Sequence, residues 1–363
     1  MVAVLVCASA HAQVNSGSNG SDGAFNPTTS VVINMADHSD GIYQYASVNI
    51  PTNVTVTFIP HANNTPVVWL VQSNCVINGT VDVSGQTSSN STAGLGGPGG
   101  WRGGNGGSIP ASGQGPGGGI AGLAGGWASA TAGPANYCNS FLIPLLGGSG
   151  GGAVTNGTGG GGGGGAILVA ASYEVKLNGN VNASGGIGLY LNNVGIAGGG
   201  SGGAVRIVAS RITGLGSVNA GPGYPGPWAN GRIRFDTYEN NFGGSVSGAF
   251  AQGSQFIIIP TNGQAAQLTI TSVGGVPVSA SPSGQLATPD AVLSAQQNNP
   301  IAVVVHCSNI PLNTQITVSV KPANVAAVSA TGLNSSGTLS SSSATVLINM
   351  PRGGGLIYAT AAN

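Results

Sequence analysis

The sequence predicts an all-β chain, built as an irregular right-handed parallel β-helix with long glycine-rich, polyglycine-like insertions and ending in a β-sandwich. Three observations predict it. A two-strand unit recurs along the first two thirds of the chain, and glycine is gathered into blocks between its copies. From about Phe256 the glycine density falls and short alternating strands take over. No stretch of useful length has helical periodicity.

The recurring unit is a short apolar strand, a polar corner and a second strand. It is clearest at 67–73 with 76–85, at 166–172 with 175–185, and at 204–210 with 212–221. A degenerate copy begins at Gly231, and 42–50 with 54–59 resembles another, its corners marked by Pro51 and Pro60. The strands are rich in β-branched residues and the turns carry Asn78-Gly79 and Asn178-Gly179. An Asn-Gly pair also closes antiparallel hairpins. The recurrence of the whole unit, with Val81, Val181 and Val218 at matching places, favours parallel stacking with those valines in one inward ladder. Segment 22–41 is expected to cap the first copy, because an open sheet edge invites pairing with other chains.

Glycine numbers 66 and proline 20, a balance typical of low complexity, yet 41% of the chain is hydrophobic, enough for a packed interior. Both hold if glycine is confined to insertions at about 87–165 and 186–203. These are too long for plain connections. Their near-triplet Gly-Gly-X spacing suits extended helices of three residues per turn, packed side by side where side chains are absent. Trp101, Trp127 and Trp228 punctuate the glycine as aromatic lids and are candidate contact residues. So is Phe141, in the apolar segment 137–146, which is expected to anchor the long insertion to the flank of the strands.

Only 8 Lys plus Arg and 8 Asp plus Glu are present, so no basic field exists for nucleic acid. The acidic residues form no strand-borne pair of the kind glycoside cleavage requires. An enzyme would need carboxylates brought together by folding, such as Asp82 with Glu174. Asp37-His38-Ser39-Asp40 has the residue types of a triad but reads as a polar turn. Arg232 and Arg234 read as outward-facing charge, and His61 and His306 are isolated from any spaced ligand set. Calcium-loop and nucleotide-loop contexts are missing. No catalytic, cofactor-binding or metal-binding residue is assigned.

Residues 1–12 read as a signal peptide, with an apolar run before an Ala10-His11-Ala12 cleavage site. Beyond it the expected organisation is 13–255 for the β-helix and 256–363 for an immunoglobulin-like sandwich. Cys75, Cys138 and Cys307 then remain, an odd number that makes no disulfide framework, though Cys75 with Cys138 is one pairing to consider. No later segment reaches membrane-spanning length.

Taken together, 21–24, 40–45, 77–85 and 202–208 resemble uncharacterised glycine-rich exported β-solenoid proteins of environmental bacteria. The likeness covers roughly 20–240 and implies export and fold but no activity. The glycine blocks alone are similar to those of phage tail-tip adhesins. The expectation is therefore a non-enzymatic bacterial protein, secreted or on the cell surface, structural or adhesive, without cofactors. Its expected partner is itself, in a fibre or matrix; the alternative is a surface glycan.

Overall fold

The structure is a computed structural model, and it describes residues 14–122, 139–155, 157–191, 195–224, 229–254, 256, 267–279, 282, 289–322, 326–353 and 355–361. The chain divides into two compact units, 1–258 and 259–363. Among the described residues nearly all regular structure is β, with one short 3₁₀ turn at Met35–Asp37.

In the first unit the strands are β1 (Ala24–Phe25), β2 (Val31–Asn34), β3 (Ile42–Tyr45), β4 (Ser47–Ile50), β5 (Thr55–Ile59), β6 (Val67–Val71), β7 (Cys75–Ile77), β8 (Thr80–Asp82), β9 (Ala166–Ala171), β10 (Glu174–Leu177), β11 (Asn180–Asn182), β12 (Tyr190–Leu191), β13 (Gly195–Ile196), β14 (Ala204–Gly214), β15 (Ser217–Asn219), β16 (Arg232–Phe242), β17 (Ser245–Ser247) and β18 (Ala249–Gly253).

The expected right-handed parallel β-helix is not what forms. The main sheet runs β1-β4-β7-β10-β14-β9-β6-β3, with β16 and β18 continuing from β14, so it doubles back on itself as a nearly closed, barrel-like parallel sheet. Among the described residues of this unit two smaller sheets accompany it, one of six strands and the antiparallel pair β12-β13. The turning point is β14, which pairs with both β9 and β10. The physical reason lies at the corners. Two residues, Ser172 and Tyr173, separate β9 from β10 and break the strand there. At the matching place β14 and β16 have a single residue, Ser210 and Tyr238, and each continues through the corner as an unbroken strand of 11 residues.

The second parallel sheet is β17-β15-β11-β8-β5-β2. Its register sets Val81 beside Val181 and Val181 beside Val218, and all three are buried. These valines join Ile50, Ile77, Leu177, Ile207, Ile212 and others in one core shared with the main sheet. Polar residues alternate with them on the outer face, where Asn219 donates to Asn182 and Asn182 to Asp82 along one file. Aromatic rings close both ends of the core. Phe25, Tyr43, Tyr45, Phe58 and Trp69 pack together at the start, with the buried Met35 of the 3₁₀ turn, and Phe235, Phe242 and Phe250 pack at the other end.

The second unit contains β19 (Gln267–Val273), β20 (Val276–Pro277), β21 (Ile301–Ser308), β22 (Gln315–Pro322), β23 (Val328–Leu333), β24 (Ser336–Gly337), β25 (Ser342–Ile348) and β26 (Gly355–Ala361). They form two small antiparallel sheets, β20-β19-β21-β25-β24 and β23-β22-β26. Alternating residues of β21, β22 and β25, among them Val303, Val305, Val318 and Val346, supply their common core.

Candidate functional site

The feature that sets this chain apart is a bundle of glycine segments in the first unit. Its centre is 159–165, seven consecutive glycines, all buried. Their backbone hydrogen bonds repeat every three residues. Gly160 and Gly163 donate to Gly104 and Trp101, Gly161 and Gly164 to Gly198 and Ser201, and Gly162 and Gly165 to Gln86 and Val83. The carbonyls follow the same period. Those of Gly160 and Gly163 accept from Gly94 and Gly97, those of Gly161 and Gly164 from Gly151 and Gly148, and those of Gly162 and Gly165 from Gly186 and Ala204.

A period of three is that of an extended helix with three residues per turn, which makes no internal hydrogen bonds and leaves every N–H and C=O for its neighbours. Residues 160–165 therefore bond in all directions around their axis, and every polar group is satisfied without water. Glycine is required for room, not for conformation, since none of 159–165 has a positive φ. A methyl group on Gly163 would stand 1.9 Å from the Gly148 carbonyl oxygen, and one on Gly161 2.0 Å from that of Gly186.

At the foot of the bundle, segment 139–146 lies against the outer face of the main sheet. Leu142 and Leu145 pack on Ala166 and Ala204, as an anchor should. Beside them is a buried ionic cluster that sequence reading missed. Arg234 is not a solvent-facing charge: it is 5% exposed, Asp236 is 0% and Arg206 is 1%. Arg234 donates to both carboxylate oxygens of Asp236, through Nε at 2.9 and 3.0 Å and through Nη2 at 2.7 Å. Arg206 donates from Nε to Asp236 Oδ2 at 3.1 Å.

Arg234 Nη1 also donates to the Ser140 carbonyl at 3.1 Å, and its guanidinium lies 5.1 Å from the Phe141 ring centre. Burial, partly offset by Asp236, lowers the Arg206 pKa from its usual value. The signal was in the sequence. Residues 234 and 236 share one face of a strand, and the repeat alignment sets Arg206 beside Arg234, two like charges that demand an acid between them.

Of the candidate contact residues, Phe141 is 42% exposed above this cluster. Trp101 is half-buried, its indole laid on the backbone of Gly115, where a Cβ would meet the ring at 2.8 Å. Trp127 and Trp228 lie outside the described residues.

Two other aromatics stand out: Tyr173 and Tyr238, 51% and 53% exposed, sit at the corners on either side of the Ser210 layer. Next to them Glu174, Arg211 and Glu239 fall in one register, with Arg211 Nη2 3.4 Å from Glu174 Oε2.

The groups considered for chemistry are dispersed. Asp82 and Glu174 stand on different sheets, and each is engaged locally, Asp82 by Asn182 and Ser84 and Glu174 by Arg211 and Thr213. Asp40 caps the N–H of Ile42, and His38 Nε2 lies 3.9 Å from Asp22. Cys75 is free and buried, and burial pushes its thiol up to about 12. Among the described residues no group of three or more His, Cys, Asp or Glu could hold a metal ion. No helix among them is long and apolar enough to cross a membrane.

In the second unit, a cleft of about 450 Å³ opens over the apolar core between Leu293, Ile301, Met350, Arg352 and Ile357. Compared with family models, with curated proteins and with solved structures, the chain matches none.

Proposed function

We propose that this chain is a non-enzymatic structural or adhesive protein, acting outside a bacterial cell and assembling with copies of itself into a surface fibre or matrix. The glycine bundle supports this reading. It is a block in which the backbone alone holds the structure, charge is nearly absent, and the strands beside it position its segments from one flank. Such a block suits a spacer or load-bearing element. The likeness of 20–240 to exported glycine-rich proteins agrees with a location beyond the membrane.

Electron microscopy and light scattering on the full secreted chain test the proposal. Filaments, or concentration-dependent oligomers retained on the producing cells, are the expected outcome. A chain that stays monomeric at all concentrations and adheres to neither cells nor itself removes the basis of the reading.

A second reading, a surface protein that binds carbohydrate, is favoured by Tyr173 and Tyr238. Two layers apart, their backbone positions are separated by about 10 Å at ~4.8 Å per strand spacing, and both rings are about half exposed. Tyrosine offers an apolar face and a polar tip suited to hydroxyl-rich ligands. Glycan-array binding abolished by Tyr173→Ala with Tyr238→Ala supports this second reading; no binding by the unaltered chain ends it.

A further inference from the structure

We infer that two buried serines, Ser149 and Ser201, set the register of the glycine bundle. An ordinary strand is kept in register because a one-residue slip turns its apolar face outward. Segments 159–165 and 198–203 are held by that constraint from one end, where they run into β9 and β14, but 147–152 adjoins no strand of the two sheets. With donors and acceptors repeating every three residues, sliding a segment by one turn, about 9 Å at ~3.1 Å per residue, restores the same backbone bonds wherever its neighbours are glycine. In 159–165 every position is glycine. Backbone pairing alone therefore leaves several alignments of 147–152 along this run nearly equal in energy.

Segments 147–152 and 198–203 flank this central run, and each is glycine except for its one serine. The two serines meet. The N–H of Ser149 donates to Ser201 Oγ at 2.6 Å, and Ser201 returns two bonds to the Ser149 carbonyl, from its N–H at 2.8 Å and from its Oγ at 3.1 Å. Ser149 Oγ in turn accepts the N–H of Gly117 at 2.9 Å, so the pair ties three segments together. Both side chains are buried.

The pair is also a steric key. Moved by one turn into the place of Gly152, the Ser149 Cβ would stand 2.2 Å from the Ile120 carbonyl oxygen. Moved the other way it takes the place of Leu146 and draws Leu142 and Leu145 out of their seats on Ala166 and Ala204. A single buried polar residue fixes the register of coiled coils in the same manner, by making every other alignment leave it unsatisfied. The inference stands whether or not the chain forms fibres.

Amide hydrogen exchange and backbone NMR on the full chain test it. Ser149→Gly with Ser201→Gly removes both key and bonds, and a second set of signals for 147–165, or a fall in protection of about tenfold or more, is expected. Ser149→Ala with Ser201→Ala keeps both Cβ atoms, so it retains one register while losing about threefold to tenfold in protection. Ser172→Ala removes an equally buried hydroxyl from the strand corner and leaves the bundle unchanged.

A glycine variant with one set of signals and full protection overturns the inference. Should that variant not fold, an alanine variant with undiminished protection overturns it equally.

Discussion

The strands and the glycine bundle of the first unit solve one problem in two ways. In the strands, Val81, Val181 and Val218 repeat with period two, and stability comes from side chains removed from water. In the bundle, Gly160–Gly165 repeat with period three, no side chain is present, and stability comes from backbone groups that each find a partner. The strands therefore tolerate a smaller residue at a cost and the bundle tolerates no larger one. The contrast shows why composition is partitioned so sharply along the chain: a methyl group is an asset in one half and an obstruction in the other.

The sharpest way to break this contrast is to add the two smallest side chains to the bundle. Gly161→Ala with Gly163→Ala places each methyl 2.0 Å or less from a backbone carbonyl that has no freedom to rotate away. Two clashes at the upper end of overpacking costs predict a loss of about 5 kcal/mol or more in chemical denaturation. Ile212→Ala, which removes far more atoms from the strand core, is expected to cost about 2–5 kcal/mol. If the added methyl groups prove the milder change, the contrast fails.

Next in size is the junction between the two regions. Asp236→Ala leaves Arg206 and Arg234 buried without their shared carboxylate, an expected loss of about 3–5 kcal/mol. Exchange should rise in 139–146 before it rises in β11 and β15, because Ser140 and Phe141 are held by Arg234.

The smallest effect belongs to the aromatic end of the strand core. The Tyr43 hydroxyl is buried without a hydrogen-bond partner, so Tyr43→Phe is expected to be neutral or stabilising by up to about 1 kcal/mol. Burial, with Asp37, Asp22 and Asp40 nearby, raises the Tyr43 pKa to about 12. The unfolded chain releases that proton near pH ~10. Above that pH the folded state binds more protons than the unfolded one, so stability is lost as pH rises from about 10 to about 12. Tyr43→Phe should flatten this part of an alkaline denaturation curve. Tyr45, shifted upward by burial in the same direction, keeps the remainder.

What the sequence reveals follows from which interactions are written in side chains. The valine ladder was legible because three copies of the unit place Val81, Val181 and Val218 alike. The all-β character was legible for the same reason. The curling of the main sheet was not, since it depends on whether a corner holds one residue, Ser210, or two, Ser172 and Tyr173, a difference that looks like noise in an alignment. The partners of Gly163 were equally hidden, because a glycine carries no mark of what lies 1.9 Å from its missing Cβ. The cluster around Asp236 was readable in principle from its i, i+2 spacing with Arg234, but an acid read alone gives no reason to look across to Arg206.

The absence of side chains in the central run 159–165 also bears on digestion. An endopeptidase recognises side chains and must first draw the chain out as a free strand. Between Arg102 and Lys176 the sequence holds no lysine or arginine, and the backbone of 160–165 is bonded on every side. The core of the bundle offers such an enzyme neither a residue to read nor a strand to hold, and fragments that survive prolonged trypsin treatment should retain it intact.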